Sequence, residues 1–305
     1  ETGNTFESIG YVGDIDFSGS FFDVAYTDDT NPENNGVSEY WIADDGESSY
    51  SYANINGDLL AITYDVWVSP DGMDESITTG TEQDPFKTIN YAMSRTYGTT
   101  DNHITINLTE GTFSPDSTGE EFPIIMLHNM SLIGQGDDVT IIDANMVSNV
   151  IRIENSYNNN ISGLMITGGY ASGNVGAGSA ASSGGGIFIH ESSSISLDHL
   201  TINNNSAANR GGGISTFHVT NFTMDHLTVN GNTVRNNGGG GINLDYSEVI
   251  LTNSTISNNQ NTGTDGSGGN GGGGGIQVTY CDYSSISNVA IFGNHCGSNG
   301  GGGMS

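Results

Sequence analysis

The sequence predicts an all-β protein: a right-handed parallel β-helix with an N-terminal capping helix and a small, acidic, β-rich region in front of it. Three observations support this class. A glycine-rich motif recurs at a nearly constant step, strand-like segments follow each glycine run, and an asparagine recurs after each strand. A fixed period of this length is typical of one supersecondary unit that stacks on copies of itself. We assign residues 1–64 to the acidic front region and 65–305 to the β-helix, with 65–112 as cap and first coil and 184–305 as the regular repeats.

Five glycine runs each lead into an apolar residue, and these apolar residues are Ile187, Ile214, Ile242, Ile276 and Met304. Successive members of this set lie 27, 28, 34 and 28 positions apart. We expect the glycines to form sharp corners, where φ is positive and stacked coils leave no room for a Cβ atom. The predicted corner glycines are Gly186, Gly213, Gly241, Gly275 and Gly303. Longer segments at 171–183 and 260–270 precede two of the runs, which predicts loops at one corner of the solenoid.

The segments after the glycine runs have the pattern of strands with one buried face. ISLDHLTI begins at Ile195 and FTMDHLTV begins at Phe222, and in both the apolar residues alternate with Ser, Thr and Asp. Period-two alternation of this kind predicts half-buried β-strands. The step from Leu197 to Leu200 is three residues instead of two, which predicts a bend or bulge at this point of each coil.

A polar corner follows each strand, and its third residue is always asparagine. Asparagine suits turns, and asparagines stacked at strand spacing can form a ladder of side-chain amides. We therefore predict a structural ladder and no ligand-binding role for this column, which consists of Asn205, Asn232, Asn259 and Asn294.

The front of the β-helix carries a helix signal. Asp84 suits the N-cap position and Pro85 the first helical position, so we expect a short helix to begin there. Phe86, Ile89 and Met93 then share one face, which would cover the open apolar end of the first coil. We expect the first strands of the solenoid at 104–108, 130–133 and 139–142.

Charge and hydropathy exclude several classes of function. The net charge is −30 with only five basic residues, so nothing is available to neutralise the phosphates of a nucleic acid. No apolar run approaches the roughly 18–20 residues of a membrane span, so we expect no membrane insertion. Cys281 and Cys296 are compatible either with one disulfide or with two free thiols.

Several segments carry a family resemblance. The run VWVSPDGMDESITTGTEQDPFKTINYAM, followed by EGTFSP, SLIGQGDDVTIIDA and ISGLMITGG, resembles the start of secreted bacterial proteins of the pectin-lyase-like β-helix superfamily. The later GGGI and LTINNNSA units are similar to the repeats of polymorphic outer-membrane proteins. The resemblance covers about 65–305 and implies an extracellular or cell-surface protein. Its motifs are specific for the fold and weak for an activity.

The best candidate for chemistry is a repeated dipeptide. Asp198-His199 recurs as Asp225-His226 one coil later, and the two carboxylates would lie about 5 Å apart if the coils stack. Such a pair could hold a metal ion or raise a pKa. The next coils have Thr252-Asn253 and Asn288 at these positions, so the column does not continue, and we favour a polar, outward-facing pair at a bend. We predict no catalytic, cofactor or metal residues. The loop that begins at Asp14 faintly resembles a calcium-binding EF-hand loop, but Ala25 occupies the position that requires glutamate, so we expect an acidic turn there.

Two further columns have structural interpretations. Arg210 and Arg235 both precede glycine runs, and we expect them to cap carbonyl groups at a corner. The threonine column that could suggest ice binding ends at Ala290, and its members are Thr201, Thr228 and Thr255.

The leading hypothesis is a non-enzymatic extracellular or cell-surface rod for adhesion, matrix or assembly. Its expected partners are other copies of itself, by end-to-end stacking into filaments, or surface glycans. The alternative is a polysaccharide-binding module or a polysaccharide lyase or hydrolase, since the same fold carries such enzymes.

Overall fold

The computed structural model describes residues 62, 64–75, 78–96, 98–173, 180–236, 238–263, 272–297 and 300–305, together with the backbone of four short strands between residues 40 and 59. Those strands form two antiparallel pairs, β1 (Tyr40–Ile42) with β2 (Tyr50–Tyr52) and β3 (Asn54–Ile55) with β4 (Asp58–Leu59). The acidic loop considered for calcium lies outside the described residues.

The remaining elements form the solenoid. In chain order they are β5 (Val66–Val68), α1 (Ile89–Arg95), β6 (Ile104–Leu108), β7 (Gly111–Phe113), β8 (Ile124–Ile125), β9 (Met130–Ile133), β10 (Thr140–Asp143), β11 (Ile151–Glu154), β12 (Tyr157–Thr167), β13 (Tyr170–Ala171), β14 (Ile187–His190), β15 (Ser193–Asn203), β16 (Ser206–Ala207), β17 (Ile214–Phe217), β18 (Thr220–Asp225), β19 (Thr228–Asn230), β20 (Thr233–Val234), β21 (Ile242–Asp245), β22 (Val249–Thr252), β23 (Thr255–Ser257), β24 (Gln260–Asn261), β25 (Ile276–Thr279), β26 (Ser285–Ser287), β27 (Ala290–Phe292) and β28 (His295–Cys296). The strands expected at 104–108 and 130–133 are confirmed, and the one expected at 139–142 begins one residue later.

Three parallel sheets run along the solenoid. The long sheet contains β5, β6, β9, β12, β15, β18, β22 and β26 in this order, and β19, β23 and β27 continue it beyond a bend. The middle sheet is β8, β11, β14, β17, β21 and β25, and the short sheet is β13, β16, β20, β24 and β28. Each regular coil passes from the middle sheet to the long sheet and then to the short sheet. The fold is therefore a right-handed parallel β-helix, as the repeat predicts.

The coils stack in register, with like residues on like. Ile187 pairs with Ile214, Ile214 with Ile242, and Ile242 with Ile276, so the apolar residues after the glycine runs form one column. All four side chains are buried in the core of the solenoid. Burial of this apolar column is a major contribution to stability, at about 1.5–3 kcal/mol for each side chain of this size.

The helix begins later than the sequence pattern indicates. Asp84 and Pro85 are not its first residues, because α1 starts at Ile89 and its N-cap is Thr88. The Thr88 hydroxyl accepts a hydrogen bond from the backbone N–H of Tyr91 at 3.2 Å. The apolar face of Phe86, Ile89 and Met93 is nevertheless buried, and the helix contacts β5 and β8.

Competing hydrogen bonds explain the late start. The Asp84 carboxylate accepts hydrogen bonds from the backbone N–H and the hydroxyl of Thr79, at 2.8 and 2.9 Å. Phe86 is extended: its N–H donates to the carbonyl of Trp67 at 3.0 Å, and its carbonyl accepts from Ser69 at 2.8 Å. The backbone at Phe86 therefore pairs with the sheet, although the capping pattern predicts a helix there.

The glycine runs contain two kinds of position. Positive φ occurs at the first glycine of three runs, at Gly184 (62°), Gly211 (56°) and Gly238 (98°). The expectation of positive φ at the corner glycines is therefore wrong for Gly186, Gly213, Gly241, Gly275 and Gly303. Close approach of neighbouring coils explains the first four of these. A Cβ atom on Gly186, for example, would lie 2.7 Å from the carbonyl oxygen of Gly213 in the next coil.

The predicted bend in the long sheet is a left-handed backbone position. His199, His226, Asn253 and Asn288 have φ of 48°, 49°, 48° and 53°. Asparagine and histidine enter this region more readily than most residues. The bend directs these side chains outward, while Leu197 and Leu200 on either side of it are both buried. None of the described helices is long and apolar enough to cross a membrane.

Candidate functional sites

Two Asp–His pairs lie side by side on the outer surface of the bend. Asp198 and Asp225 are register partners in the parallel pairing of β15 with β18. The following histidines occupy the left-handed bend positions, so His199 and His226 project into solvent with side chains 63% and 48% exposed. We name these four residues the Asp–His site.

The geometry of this site is a pair of hydrogen-bonded dyads. Nδ1 of His199 lies 2.8 Å from Oδ1 of Asp198, and Nδ1 of His226 lies 2.8 Å from Oδ2 of Asp225. The two imidazole rings stack, with centroids 4.5 Å apart and planes 13° from parallel. Nδ1 of His226 is also 3.9 Å from Oδ1 of Asp198. The Asp198 carboxylate is therefore close to both imidazoles.

The charges of the site are unbalanced toward negative. The hydrogen bond from His199 to Asp198, together with the charges of Asp198, Asp225 and Asp137, raises the pKa of His199. Hydrogen bonds from the Thr252 hydroxyl, the Asn253 side chain and His226 lower the pKa of Asp225. Asp225 is thus held as a carboxylate, while His199 gains a proton more readily than an isolated histidine.

Chemically, the site offers ligands for a metal or groups for proton transfer. Asp198, His199 and His226 each present one ligand atom, and these atoms lie within 4.8 Å of one another. The sequence placed these residues in one column, and the structure brings them together.

A second surface lies at the corner between the middle sheet and the long sheet. Here Glu191, His218, Tyr246 and Tyr280 occupy one column, and all have positive φ between 45° and 54°. The rings of His218 and Tyr246 stack with centroids 5.1 Å apart, and those of Tyr246 and Tyr280 with centroids 4.8 Å apart. We name His218, Tyr246 and Tyr280 the aromatic corner.

The aromatic corner remains open to solvent. Tyr246 is 46% exposed and Tyr280 is 71% exposed, although Tyr246 covers one face of the Tyr280 ring. Tyr283, three residues further on, is 90% exposed. Sequence reasoning missed this surface, but a signal was present. Each of the three side chains lies four residues after the isoleucine that follows a glycine run.

The asparagine column forms a continuous hydrogen-bonded ladder. Oδ1 of Asn232 accepts from the side chain of Asn205, Oδ1 of Asn259 accepts from Asn232, and Oδ1 of Asn294 accepts from Asn259, at 3.1, 3.0 and 3.0 Å. Asn205, Asn232 and Asn259 are buried. Their hydrogen bonds are to the protein itself, so the column has a structural role in the described coils.

The two arginines make other contacts than the expected carbonyl capping. Arg210 forms an ion pair with the buried carboxylate of Asp245, one coil further along, and burial lowers the pKa of Arg210. The guanidinium of Arg235 lies 5.7 Å from the ring centroid of Tyr170. Among the described contacts the partners of these guanidinium groups are thus a carboxylate and an aromatic ring, and carbonyl capping stays a prediction.

The structure also places the two cysteines and the threonine column. Cys281 and Cys296 are both partly buried and are not joined by a disulfide, so the two-thiol alternative holds. Thr201, Thr228 and Thr255 stack in register and are followed by Ala290.

The chain matches one protein-family model and, at low identity, several solved structures. A family model described as "Protein of unknown function (DUF1565)" matches residues 71–299. No curated protein matches the chain.

Three solved structures are similar at low identity. Pectin methylesterase PemA from Erwinia chrysanthemi is 11% identical, with 72% of this chain and 71% of that chain covered and a TM-score of 0.40. ORF18 of Geobacillus virus E2 is 13% identical, with 72% and 42% covered and a TM-score of 0.38. A pectin methylesterase in complex with hexasaccharide VII is 12% identical, with 72% and 71% covered and a TM-score of 0.37. At these identities the likeness concerns the fold alone.

Proposed function

Since the chain belongs to the DUF1565 family of proteins of unknown function, we propose a function from its own surface: a non-enzymatic extracellular or cell-surface β-helical rod that binds neutral glycans at the aromatic corner. The observation that carries the proposal is the exposed, stacked column of His218, Tyr246 and Tyr280.

The chemistry of this column suits a sugar. An aromatic ring presents a broad apolar face with partial negative charge, and a tyrosine adds a hydroxyl that donates and accepts hydrogen bonds. The C–H groups of a pyranose ring complement such a face, and its hydroxyl groups complement the tyrosine tip. A net charge of −30 repels acidic polysaccharides, so a neutral glycan is the better partner.

The backbone of the corner adds a second argument. A tyrosine at positive φ costs roughly 1–2 kcal/mol relative to an ordinary backbone position. Asn155 occupies the same kind of position, with φ of 49°, before the long-sheet strand of an earlier coil. The corner therefore folds without an aromatic residue. Ring stacking, at about 0.5–1.5 kcal/mol, compensates only in part for the strain at Tyr246 and Tyr280.

Titration of neutral and acidic oligosaccharides against the full chain tests this proposal. Tyr280→Asn and Tyr246→Asn remove a ring but keep a residue that suits positive φ, so the fold should be retained. We expect neutral glycans to bind, and each variant to weaken binding on the order of tenfold. Phe292→Ser is the matched control, since Phe292 is an exposed aromatic residue outside the corner. Equal binding by the two tyrosine variants and the wild type would refute the proposal.

An enzyme of the polysaccharide lyase or hydrolase class is the second candidate. The stacked Asp198 and Asp225 carboxylates favour it, because paired acidic groups serve in acid–base catalysis. Turnover of a polysaccharide, with or without calcium, that is lost in Asp198→Asn or Asp225→Asn would replace the non-enzymatic proposal.

Assembly by end-to-end stacking is the remaining part of the proposal. Its support is the register of the coils, because a coil that pairs with a near-copy of itself offers the same edge to a second molecule. Electron microscopy at high protein concentration should show filaments. Particles that stay monomeric would exclude this mode.

A further inference from the structure

We infer that Asp198, His199 and His226 form a binding site for a divalent transition-metal ion, separate from the aromatic corner. The inference does not depend on glycan binding, because the two surfaces lie at different places on the coil. His218 is at the turn before β18, whereas Asp225 is the last residue of β18 and His226 is at the bend after it.

The ligand types select the class of ion. Two imidazoles and one carboxylate suit Zn²⁺, Co²⁺, Ni²⁺ or Cu²⁺, whereas Ca²⁺ and Mg²⁺ prefer sites built from oxygen alone. The Asp225 carboxylate lies beside these ligands and holds the His226 ring through a 2.8 Å hydrogen bond.

The surroundings favour a cation. The charges of Asp137 and Asp225 act on the His199 imidazole together with that of Asp198. Asp225 is itself fixed, since Oδ1 accepts hydrogen bonds from Thr252 and from Asn253. None of the five basic residues of the chain takes part in the described contacts of this site. A divalent ion would therefore relieve repulsion among clustered carboxylates.

The site requires a small rearrangement. A metal ion lies in the plane of an imidazole that binds it, and the two rings are within 13° of parallel. One ring must therefore turn about its Cβ–Cγ bond. The three ligand atoms must also contract from a span of 4.8 Å to about 3.3 Å, the separation that Zn–N and Zn–O bonds of about 2.0 Å imply. Both rings are exposed, so solvent leaves room for this movement.

The backbone does not by itself require histidine at these two positions. The same left-handed column contains Asn253 and Asn288 in the next two coils, and Gly163 precedes them in an earlier coil. Histidine in two successive coils, each preceded by aspartate, places two imidazoles and a shared carboxylate at one point. Three protein ligands also leave positions for water or an external ligand on the ion.

Isothermal titration of the full chain with Zn²⁺, and with Co²⁺ followed by its visible absorption, tests the inference. We expect one ion for each chain and no displacement by a large excess of Ca²⁺. His199→Asn, His226→Asn and Asp198→Asn should each weaken binding about tenfold or more. Asparagine is the native residue of this column in neighbouring coils, so the histidine variants should fold. Asn288→Gly, in the same column but two coils away, is the control and should bind like the wild type.

A second measurement uses the wild-type protein alone. Paramagnetic Co²⁺ should broaden the NMR signals of His199 and His226 and leave the other five of the seven histidines sharp. The inference is overturned if binding does not saturate, if the histidine variants bind like the wild type, if Ca²⁺ competes equally, or if other histidines are broadened instead. Each of those results would leave the Asp–His site as a polar pair at a bend.

Discussion

Oδ1 of Asn232 accepts hydrogen bonds from both the backbone N–H and the side-chain amide of Asn205, at 3.0 and 3.1 Å. The Asn232 amide in turn donates to the carbonyl of Ile202 at 2.9 Å and to Oδ1 of Asn259 at 3.0 Å. One buried side chain therefore hydrogen-bonds to the coil before its own and to the coil after it. Its removal would leave several buried donors and acceptors without partners.

We expect Asn232→Ala to lower the free energy of unfolding by about 3–4 kcal/mol, since each buried polar group left unpaired costs roughly 1–3 kcal/mol. Urea denaturation followed by circular dichroism measures the change. Asn203→Ala is the control, because Asn203 is only partly buried, at the corresponding turn of the preceding coil, and its replacement should cost less than about 1 kcal/mol. Similar losses in both variants would argue against the ladder as a source of stability.

Two glycines with different environments should respond differently to alanine. A Cβ atom on Gly213 would lie 2.8 Å from the carbonyl oxygen of Gly241 and 3.1 Å from Nδ2 of Asn232. Gly231 has φ of 67°, and a Cβ atom there would approach only the side-chain oxygen of Asn204, at 3.2 Å.

We therefore expect Gly231→Ala to cost only the strain of a left-handed alanine, roughly 1–2 kcal/mol. Gly213→Ala should cost about 3 kcal/mol or more, because neighbouring backbone must move apart. Thermal melts of the two variants provide the comparison. The reverse order would mean that the coils separate easily at the glycine column.

Glu120 should make stability depend on pH. Its buried carboxyl group accepts hydrogen bonds from the N–H groups of Ile89 and Asn90 at the start of α1, at 2.6 and 3.0 Å. Burial raises its pKa from an ordinary 4.5 to about 7, although these hydrogen bonds oppose the shift. Between these values the folded protein holds a proton that the unfolded chain releases.

It follows that the contribution of Glu120 to stability falls as pH rises from about 4.5 to about 7. Glu120→Gln should remove this part of the pH dependence, since glutamine does not titrate and has nearly the shape of the protonated acid. Urea denaturation of both proteins at several pH values gives the difference in slope. Parallel pH profiles would show that the Glu120 pKa is the same in the folded and unfolded states.

The free energy of unfolding should depend on how well the residue at position 226 tolerates the left-handed backbone of the bend. With φ of 49°, it favours asparagine, which the next coil has at Asn253 with φ of 48°. We expect His226→Asn to change the free energy of unfolding by less than about 0.5 kcal/mol, and His226→Val to lower it by about 2 kcal/mol, because β-branched residues are strained there. Denaturation curves of the two variants test this. A valine variant as stable as the asparagine variant would contradict the left-handed assignment.

Much of the fold follows from the sequence because the same physical requirement recurs in every coil. The isoleucines at 187, 214, 242 and 276 must each be buried on the coil before and after, and their spacing alone gives the stacking order. The Asp–His pairs could be placed together for the same reason. In a stacked repeat, residues at equivalent positions of successive repeats are also neighbours in space.

The features that the sequence did not predict depend on competition between neighbours. The start of α1 moved to Ile89 because Thr79 and Trp67 hydrogen-bond to the segment with the capping pattern. Residue preference does not predict the tyrosines of the aromatic corner, because tyrosine rarely adopts positive φ. Their constant spacing after the isoleucines is present in the sequence, but the left-handed backbone of the column is known only from the structure.

Register pairing has a consequence for the size of the protein. Each described coil of the regular region pairs only with the coil before and the coil after it. A stack of this kind has no intrinsic length, because one coil can be duplicated or deleted without changing the contacts inside the others. Stability would then grow with the number of coils, and each added coil would lengthen the solenoid by one strand spacing.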